Sequence, residues 1–266
     1  MTTTNPGTAL ITGASSGIGA VYADRLARLG HDLILVARSK DKLDALARKI
    51  ATDTGRAVRV VVADLIRDED IARVEQVIGE TDHLTVLVNN AGVGSRTPLL
   101  ESDIGAITDM ITLNVTAATR LAYKAVPVMI GHGGGTVINI ASIVAIAPHM
   151  LNGVYGGSKA FVLALSQSMH HELADKGIRV QAVLPGATAT EFWPTAGVAV
   201  NQLDASWVMS AEDMVDASLA GLEAGELVTL PAVEDQGLVD ALENARRALF
   251  GELSKSRPAS RYGIHA

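Results

Sequence analysis

An α/β fold built on a single doubly wound parallel sheet of about seven strands, with helices on both faces, is predicted by three observations. Short apolar runs rich in Val, Ile and Leu recur along the chain without polar alternation, as strands covered on both faces require. Stretches with an apolar stripe at helical spacing separate them. A glycine-rich turn joins the first run to the first helical stretch, the join that carries ligands in such sheets.

Each element follows in order. The first run, Ala9-Leu10-Ile11, leads into Thr12-Gly13-Ala14-Ser15-Ser16-Gly17-Ile18-Gly19, which opens the first helix. Leu33 to Val36 form the second run, ending at Ala37-Arg38-Ser39-Lys40, and Leu43, Leu46, Ala47 and Ile50 make the next helical stripe. Val58 to Val62 are the third run, with Asp64-Leu65 beyond it, and Val86-Leu87-Val88 are the fourth, with Asn89-Asn90-Ala91-Gly92 beyond it. Ile107, Met110, Ile111, Asn114, Ala118, Leu121, Ala122 and Ala125 form a long stripe, with Glu101 and Asp103 at its start. Gly131 to Gly135 precede a strand instead of joining a strand to a helix, so they read as a turn and not as a second phosphate loop. Val137 to Ile140 are the fifth run, Val180 to Leu184 the sixth and Leu227 to Leu230 the seventh. Short connections imply right-handed crossovers.

No linker or repeat divides the chain, so residues 1–266 read as one domain. Residues 187–212, rich in Thr, Ala, Gly and Pro, break the alternation and read as a substrate-loop insertion. Residues 254–266 read as a loosely ordered polar tail.

Composition excludes whole classes. With 48% hydrophobic residues the chain can bury a sizeable core, and a net charge of −7 argues against a nucleic-acid or anionic-membrane partner. There is no cysteine, which removes disulfides, thiolate catalysis and zinc–thiolate sites. No apolar run approaches the roughly 18 residues of a membrane span. Met1-Thr2-Thr3-Thr4-Asn5-Pro6 carries no secretory pattern, so a cytoplasmic location is expected. No G-x-S-x-G elbow is present, which removes the strongest hydrolase reading. His170-His171-Glu172 lacks metal-ligand spacing, and no metal site is expected.

Gly13, Gly17 and Gly19 sit between a strand and a helix, where glycine lets backbone approach a dinucleotide's pyrophosphate and the helix end favours its charge. The loop is not a P-loop, since no Gly-Lys-Ser/Thr follows. An acidic residue at the end of the second strand would accept from the ribose hydroxyl of NAD, and none is there. Arg38 instead offers a planar fork for a 2′-phosphate, with Ser39 beside it, so NADP(H) is the expected cofactor. Far downstream, Tyr155-Gly156-Gly157-Ser158-Lys159 places a tyrosine and a lysine on one helical face. A free tyrosine has pKa ~10, so acting as a base near neutrality demands about 4 kcal/mol of preferential stabilisation of its anion. A neighbouring ammonium and an oxidised nicotinamide are the expected sources.

These motifs, in this order over roughly residues 8–190, resemble the short-chain dehydrogenase/reductase family, in its NADP-preferring branch, and imply a Rossmann-type fold. The resemblance implies that Gly13, Ser15, Ser16, Gly17, Ile18 and Gly19 form the cofactor loop and that Asp64 and Leu65 flank the adenine. Asn90, Ala91 and Gly92 form the motif after the fourth strand. Pro185, Gly186, Thr188 and Thr190 would meet the nicotinamide. Asn114, Ser142, Tyr155 and Lys159 would be the catalytic residues: Ser142 orients the substrate carbonyl, Tyr155 moves the proton, Lys159 holds the nicotinamide ribose, and Asn114 holds a water that joins Lys159 to solvent. Where some NADP-preferring members carry a basic residue in the loop, this chain has Ser16.

The expected activity is hydride transfer between NADP(H) and a carbonyl or alcohol substrate. The stretches expected to face it are Ile143 to Gly153, including His149, Met150, Leu151 and Asn152, and Glu191 to Trp207, including Phe192, Trp193, Val198 and Val200. They are largely apolar and hold no cationic cluster, which favours a neutral or apolar substrate; packing of Phe192 and Trp207 onto the body stays open beside this. Family members pair the helices bearing Asn114 and Tyr155, whose surface candidates are Ala117, Ala160, Val162 and Ala164, so a homodimer or homotetramer is expected. Two other readings remain: an NADP(H)-binding sensor without turnover, and an epimerase or dehydratase using the same cofactor.

Overall fold

The computed structural model describes residues 6–191 and 204–264. Seven strands form one sheet: β1 (Thr8–Thr12), β2 (Asp32–Ala37), β3 (Val58–Val62), β4 (Leu84–Asn89), β5 (Gly135–Ile140), β6 (Ile178–Val183) and β7 (Val228–Thr229). Their order is β3-β2-β1-β4-β5-β6-β7, and every pairing is parallel. Winding outward in both directions from β1 and β4 opens a crevice at their carboxyl ends, where such sheets take ligands. Ala9, Leu10 and Ile11 have no exposed surface, so this run is covered on both faces as its lack of alternation predicts. The seventh run is shorter than its sequence suggests, with two residues paired to Ala182 and Val183.

The helices are α1 (Gly17–Arg28), α2 (Lys40–Thr54), α3 (Asp68–Gly79), α4 (Ile104–Ile111), α5 (Ala118–Gly131), α6 (Gly153–Leu173), α7 (Ala211–Glu223) and α8 (Gln236–Leu249). One core lies between the sheet and α3, α5 and α6, through Val74, Ile78, Leu121 and Met169; the other lies between the sheet and α1, α2 and α7, through Tyr22, Leu26, Ile50 and Met214. Tyr22 is completely buried and donates to Ser218, tying α1 to α7. At the surface Arg25 adds a two-pronged bond to Asp216 at 2.7 and 3.0 Å.

Four details refine the sequence reading. The long stripe through Asn114 is not one α-helix, because a π-helical segment, Thr112–Ala117, separates α4 from α5. Asp103 starts α4 as its N-cap, accepting from Ala106 N at 2.8 Å. Ala117 and Val162 are 1% and 3% exposed, so they belong to the cores and are not surface candidates; Ala160 is half-buried and Ala164 exposed. Residues 187–212 end inside α7, which Ser210 caps by accepting from Asp213 N at 2.9 Å.

Phe192, Trp193, Val198 and Val200 lie outside the described residues, and Trp207 is 76% exposed. Chain contacts distinguish two compact units, residues 1–231 and 232–266, and every motif named above lies in the first. The second holds α8, capped by Asp235, and an exposed 3-10 turn, Ser260–Tyr262.

Candidate active site

The glycine loop is built by backbone that only glycine adopts freely and by close approach. Gly13 and Gly17 have φ of +63° and +53°, in the left-handed region. A Cβ on Gly19 would lie 2.4 Å from the Gly13 carbonyl oxygen and 2.6 Å from Asn90 Nδ2, so a side chain does not fit. Ser16 stands extended at the N-cap of α1 without a side-chain capping bond, and no acidic residue lies in the first turn. The positive end of the helix favours an anion, and in this structure the Glu191 carboxylate hydrogen-bonds Ser16 there, with Ser15 and Ile18 half-buried around it.

Asn90 does not point away from this loop; it clamps it. Asn90 Nδ2 donates to the carbonyls of Thr12 at 2.9 Å and Gly13 at 3.2 Å. Thr12 Oγ1 accepts from Asn90 N and Ala91 N, both at 3.0 Å. The ends of β1 and β4 are thus locked together at the centre of the crevice.

On the β2 side, Arg38 is exposed and makes no hydrogen bond or ion pair among the described residues, which leaves its guanidinium free for a phosphate. Ser39 is half-buried at the N-cap of α2, again without a side-chain capping bond. Beyond β3, Leu65 is buried and Asp64 Oδ1 accepts from Ile66 N at 3.3 Å. On the β6 side, the buried Pro185 presents its carbonyl to Ile143 N at 3.0 Å and to the Ser142 hydroxyl at 3.5 Å. Thr188 is buried and donates to Gly186 O at 3.3 Å, while Thr190 packs 3.0 Å from the place a Cβ of Gly17 would occupy. The donors, the helix end and the free arginine fit a dinucleotide with a 2′-phosphate.

The four expected catalytic residues converge at the ends of β4, β5 and α6, and all are buried: Asn114 2%, Ser142 8%, Tyr155 5% and Lys159 5% exposed. Lys159 Nζ donates to Ile140 O at 2.8 Å. Tyr155 and Ser142 share a hydrogen bond, which lowers the Tyr155 pKa, yet burial outweighs it and pushes the phenol up to about 12. Burial likewise lowers Lys159 to about 8. Activation of Tyr155 as a base therefore needs positive charge brought beside it, since its surroundings in the chain alone favour the neutral phenol.

Asn114 is held by its neighbours. Its Oδ1 accepts from Val93 N at 3.0 Å, and its Nδ2 donates to Val93 O at 2.8 Å and to Ser158 Oγ at 3.0 Å. This side chain ties the π-helical segment to the loop after β4 and to α6. Gly92 fills the space between the catalytic groups: a Cβ there would lie 3.0 Å from Asn114 Oδ1 and 3.3 Å from Lys159 Nζ. Asn152 starts α6, accepting from Val154 N at 2.9 Å, and its Nδ2 donates to Thr97 O at 2.7 Å.

A cavity of about 270 Å³ opens beside that cap, lined by Arg96, Leu99, Met150, Leu151 and Asn152 among others. Leu151 also packs against the apolar cluster of Ile107, Met110, Val144 and Tyr155, so the cavity lies near the catalytic groups. His149 is exposed at its edge. His170 and His171 lie late on α6, and no group of three or more His, Asp or Glu placed for a metal occurs among the described residues. Nor is any helix among them long and apolar enough to cross a membrane.

The roles of Thr12 and Val93, and the capping role of Asn152, which the sequence reading placed only in a stretch facing the substrate, were not singled out beforehand. Thr12 was visible as the first residue of the loop motif. Val93 acts through contacts with a residue far away in sequence, for which the sequence carries no local signal.

The family described as short chain dehydrogenase matches residues 7–198. A very-long-chain 3-oxoacyl-CoA reductase of Anas platyrhynchos is 36% identical over 188 residues, covering 69% of this chain and 60% of that protein. The chain thus spans less than two thirds of that relative. Among solved structures, a short-chain dehydrogenase from Sphingobium yanoikuyae in complex with NADPH has a TM-score of 0.92 and 46% identity, covering 96% of this chain and all of that one. A bulky-bulky ketone specific alcohol dehydrogenase from Comamonas testosteroni has a TM-score of 0.89 and 42% identity, covering 97% of this chain and 99% of the other. With the glycine loop, the Asn90 clamp and the Ser142–Tyr155–Lys159 cluster arranged on this sheet, the chain belongs to the short-chain dehydrogenase/reductase family of oxidoreductases.

Proposed function

We propose that this chain is an NADP(H)-dependent carbonyl reductase or alcohol dehydrogenase acting on a small substrate whose carbonyl carries apolar, uncharged groups. The observation that carries the reading is the buried hydrogen bond between Tyr155 and Ser142, four residues along one helix from a buried Lys159. The free Arg38, the uncapped first turn of α1 and the NADPH complex of the Sphingobium relative support NADP(H). The ketone chemistry in the name of the Comamonas relative supports the substrate class, and Leu99, Met150 and Leu151 give the cavity apolar patches beside its polar Arg96, Thr97 and Asn152.

Bound NADPH supplies a hydride to the carbonyl carbon. Gly13, Ser15, Ser16, Gly17, Ile18 and Gly19 hold the pyrophosphate, Arg38 and Ser39 the 2′-phosphate, and Asp64 and Leu65 the adenine side, with Asn90, Ala91 and Gly92 between the glycine loop and Lys159. Pro185, Gly186, Thr188 and Thr190 position the nicotinamide. Ser142 Oγ hydrogen-bonds the substrate oxygen, and Tyr155 donates its proton to that oxygen as charge develops there. A phenol held near 12 is fully protonated at neutral pH, which suits the reductive direction. Lys159, still largely an ammonium below about 8, holds the ribose and stabilises the tyrosinate left behind. Asn114 in this reading helps to hold a water that returns the proton from solvent to Lys159.

Residues 1–266 act in this reading as one functional domain, with 187–212 as its substrate loop, in a cytoplasmic homodimer or homotetramer. The test is NADPH consumption against aldehydes, ketones and 3-oxo compounds, beside Tyr155→Phe. Turnover by the parent, reduced at least about a hundredfold in the variant, is the expected result. Turnover that survives the substitution removes Tyr155 from its role, and tight NADPH binding without turnover points to a sensor instead.

A further inference from the structure

One ion pair crosses the crevice and takes no part in the chemistry above. Lys42 lies in the first turn of α2, after β2, and Glu191 lies in the loop after β6. β1, β4 and β5 stand between β2 and β6, a span of about 19 Å at ~4.8 Å per strand. To reach Lys42, the chain from Gly186 to Glu191 must run over the carboxyl ends of the strands, across the groove assigned to the dinucleotide.

Three contacts fix the end of this strap. Lys42 Nζ donates to both Glu191 carboxylate oxygens, at 2.8 and 2.7 Å. Ser16, in the glycine loop, hydrogen-bonds the same carboxylate, and the two partners hold Glu191 below the usual carboxylate range. Thr190 packs over Gly17. Lys42 is also set apart from its neighbours on α2. Lys40 and Lys49 pair with Asp44 and Asp53 one turn along the helix, whereas Lys42 has no carboxylate three or four residues away and among the described residues pairs with Glu191.

We infer that Lys42 and Glu191 are positioning residues for the cofactor: their ion pair pins the 187–191 strap, and with it Thr188 and Thr190, across the dinucleotide groove. The inference rests on the NADP(H) reading above. Both side chains are half-exposed or more, at 50% and 65%, so the pair is worth the modest amount of a surface ion pair. That corresponds to about a two- to fivefold change in cofactor affinity. Neither Lys42 nor Glu191 belongs to the Ser142–Tyr155–Lys159 cluster, so the pair acts on binding and not on the proton transfer.

Fluorescence titration of NADPH into the full chain tests this, with Lys42→Met, Glu191→Gln and the exchanged double variant Lys42→Glu/Glu191→Lys, followed by KM and kcat for each. Each single variant should weaken NADPH about two- to fivefold and raise its KM, leave kcat within about twofold, and the exchange should restore most of the loss. Unchanged NADPH affinity in both single variants overturns the inference. So does a tighter complex in Glu191→Gln, which would make the carboxylate a repelling charge, and so does an exchanged variant whose loss equals the product of the two single losses. A parent chain that binds no NADPH overturns the functional reading itself and the inference with it, an outcome distinct from normal binding that the variants leave untouched.

Discussion

Lys159 carries the sharpest electrostatic consequence of any single residue. Its ammonium is 5% exposed with the Ile140 carbonyl as its partner, and burial lowers its pKa from 10.5 to about 8. Between those values the unfolded chain holds the proton and the folded chain releases it, so stability of the cofactor-free protein rises with pH across that window. Below about pH 8 both states are protonated and the full cost of burying the charge, on the order of 3 kcal/mol, is present. Lys159→Met removes the group and should flatten the profile. Urea unfolding at pH 7 and pH 10 checks it: the parent should gain stability relative to the variant, and parallel changes in both proteins would refute the account. The burial that creates this cost also keeps water from Tyr155. Both residues were legible in the sequence from their spacing on one helix. The sign of their environment was not, because it depends on Ile140 and Ser142, which β5 and the turn after it bring from elsewhere in the chain.

At the level of elements, the π-helical segment Thr112–Ala117 is the feature that periodicity could not predict. The apolar stripe from Ile107 to Ala125 reads as one helix, since a single wide turn shifts the phase too little to break it. The wide turn coincides with Asn114, whose side chain bonds both backbone groups of Val93, a residue beyond β4 and 21 positions away. With Ser158 as third partner, Asn114 joins the end of β4, the long helical stretch and α6 in one place. Asn114→Ala would leave these groups unpaired in a largely buried setting, at about 2–4 kcal/mol for the three bonds together. The expected result is a lower urea midpoint with little change in slope; a loss below about 1 kcal/mol would mean that the segment keeps its shape without this side chain. The central strands, by contrast, were legible to within about two residues, because burial on both faces leaves an unbroken apolar run; β3, with Arg59 and Val62 exposed, and the two-residue β7 depart from this. The glycine loop was legible as a pattern, but the Asn90 clamp that dictates Gly19 appears only when β1 and β4 lie side by side.

For the molecule as a whole, the proposed homo-oligomer needs a surface on which one copy of the chain meets another. The sequence reading named Ala117, Ala160, Val162 and Ala164 on the helices bearing the site; Ala117 and Val162 face the cores, Ala160 is half-buried and Ala164 exposed. Small apolar residues on a helix that packs against a sheet give the same signal whichever way they face. The large residues exposed on these helices are different ones: Ile104 at 77%, Ile111 at 41%, Tyr123 at 68%, Ile130 at 39% and Phe161 at 40%. Tyr123 and Phe161 lie on α5 and α6, the pair of helices on which family members associate. A net charge of −7 opposes random association, so a stable oligomer needs an apolar surface of this kind to offset it. Light scattering at about 10 μM should give the mass of a dimer or tetramer. Tyr123→Glu together with Phe161→Glu should shift it to one chain of 27.7 kDa. Both residues point away from the cores, so thermal unfolding of the dissociated variant should stay cooperative. A parent that is monomeric at that concentration refutes the oligomer. An oligomer that persists in the double variant moves the interface off α5 and α6.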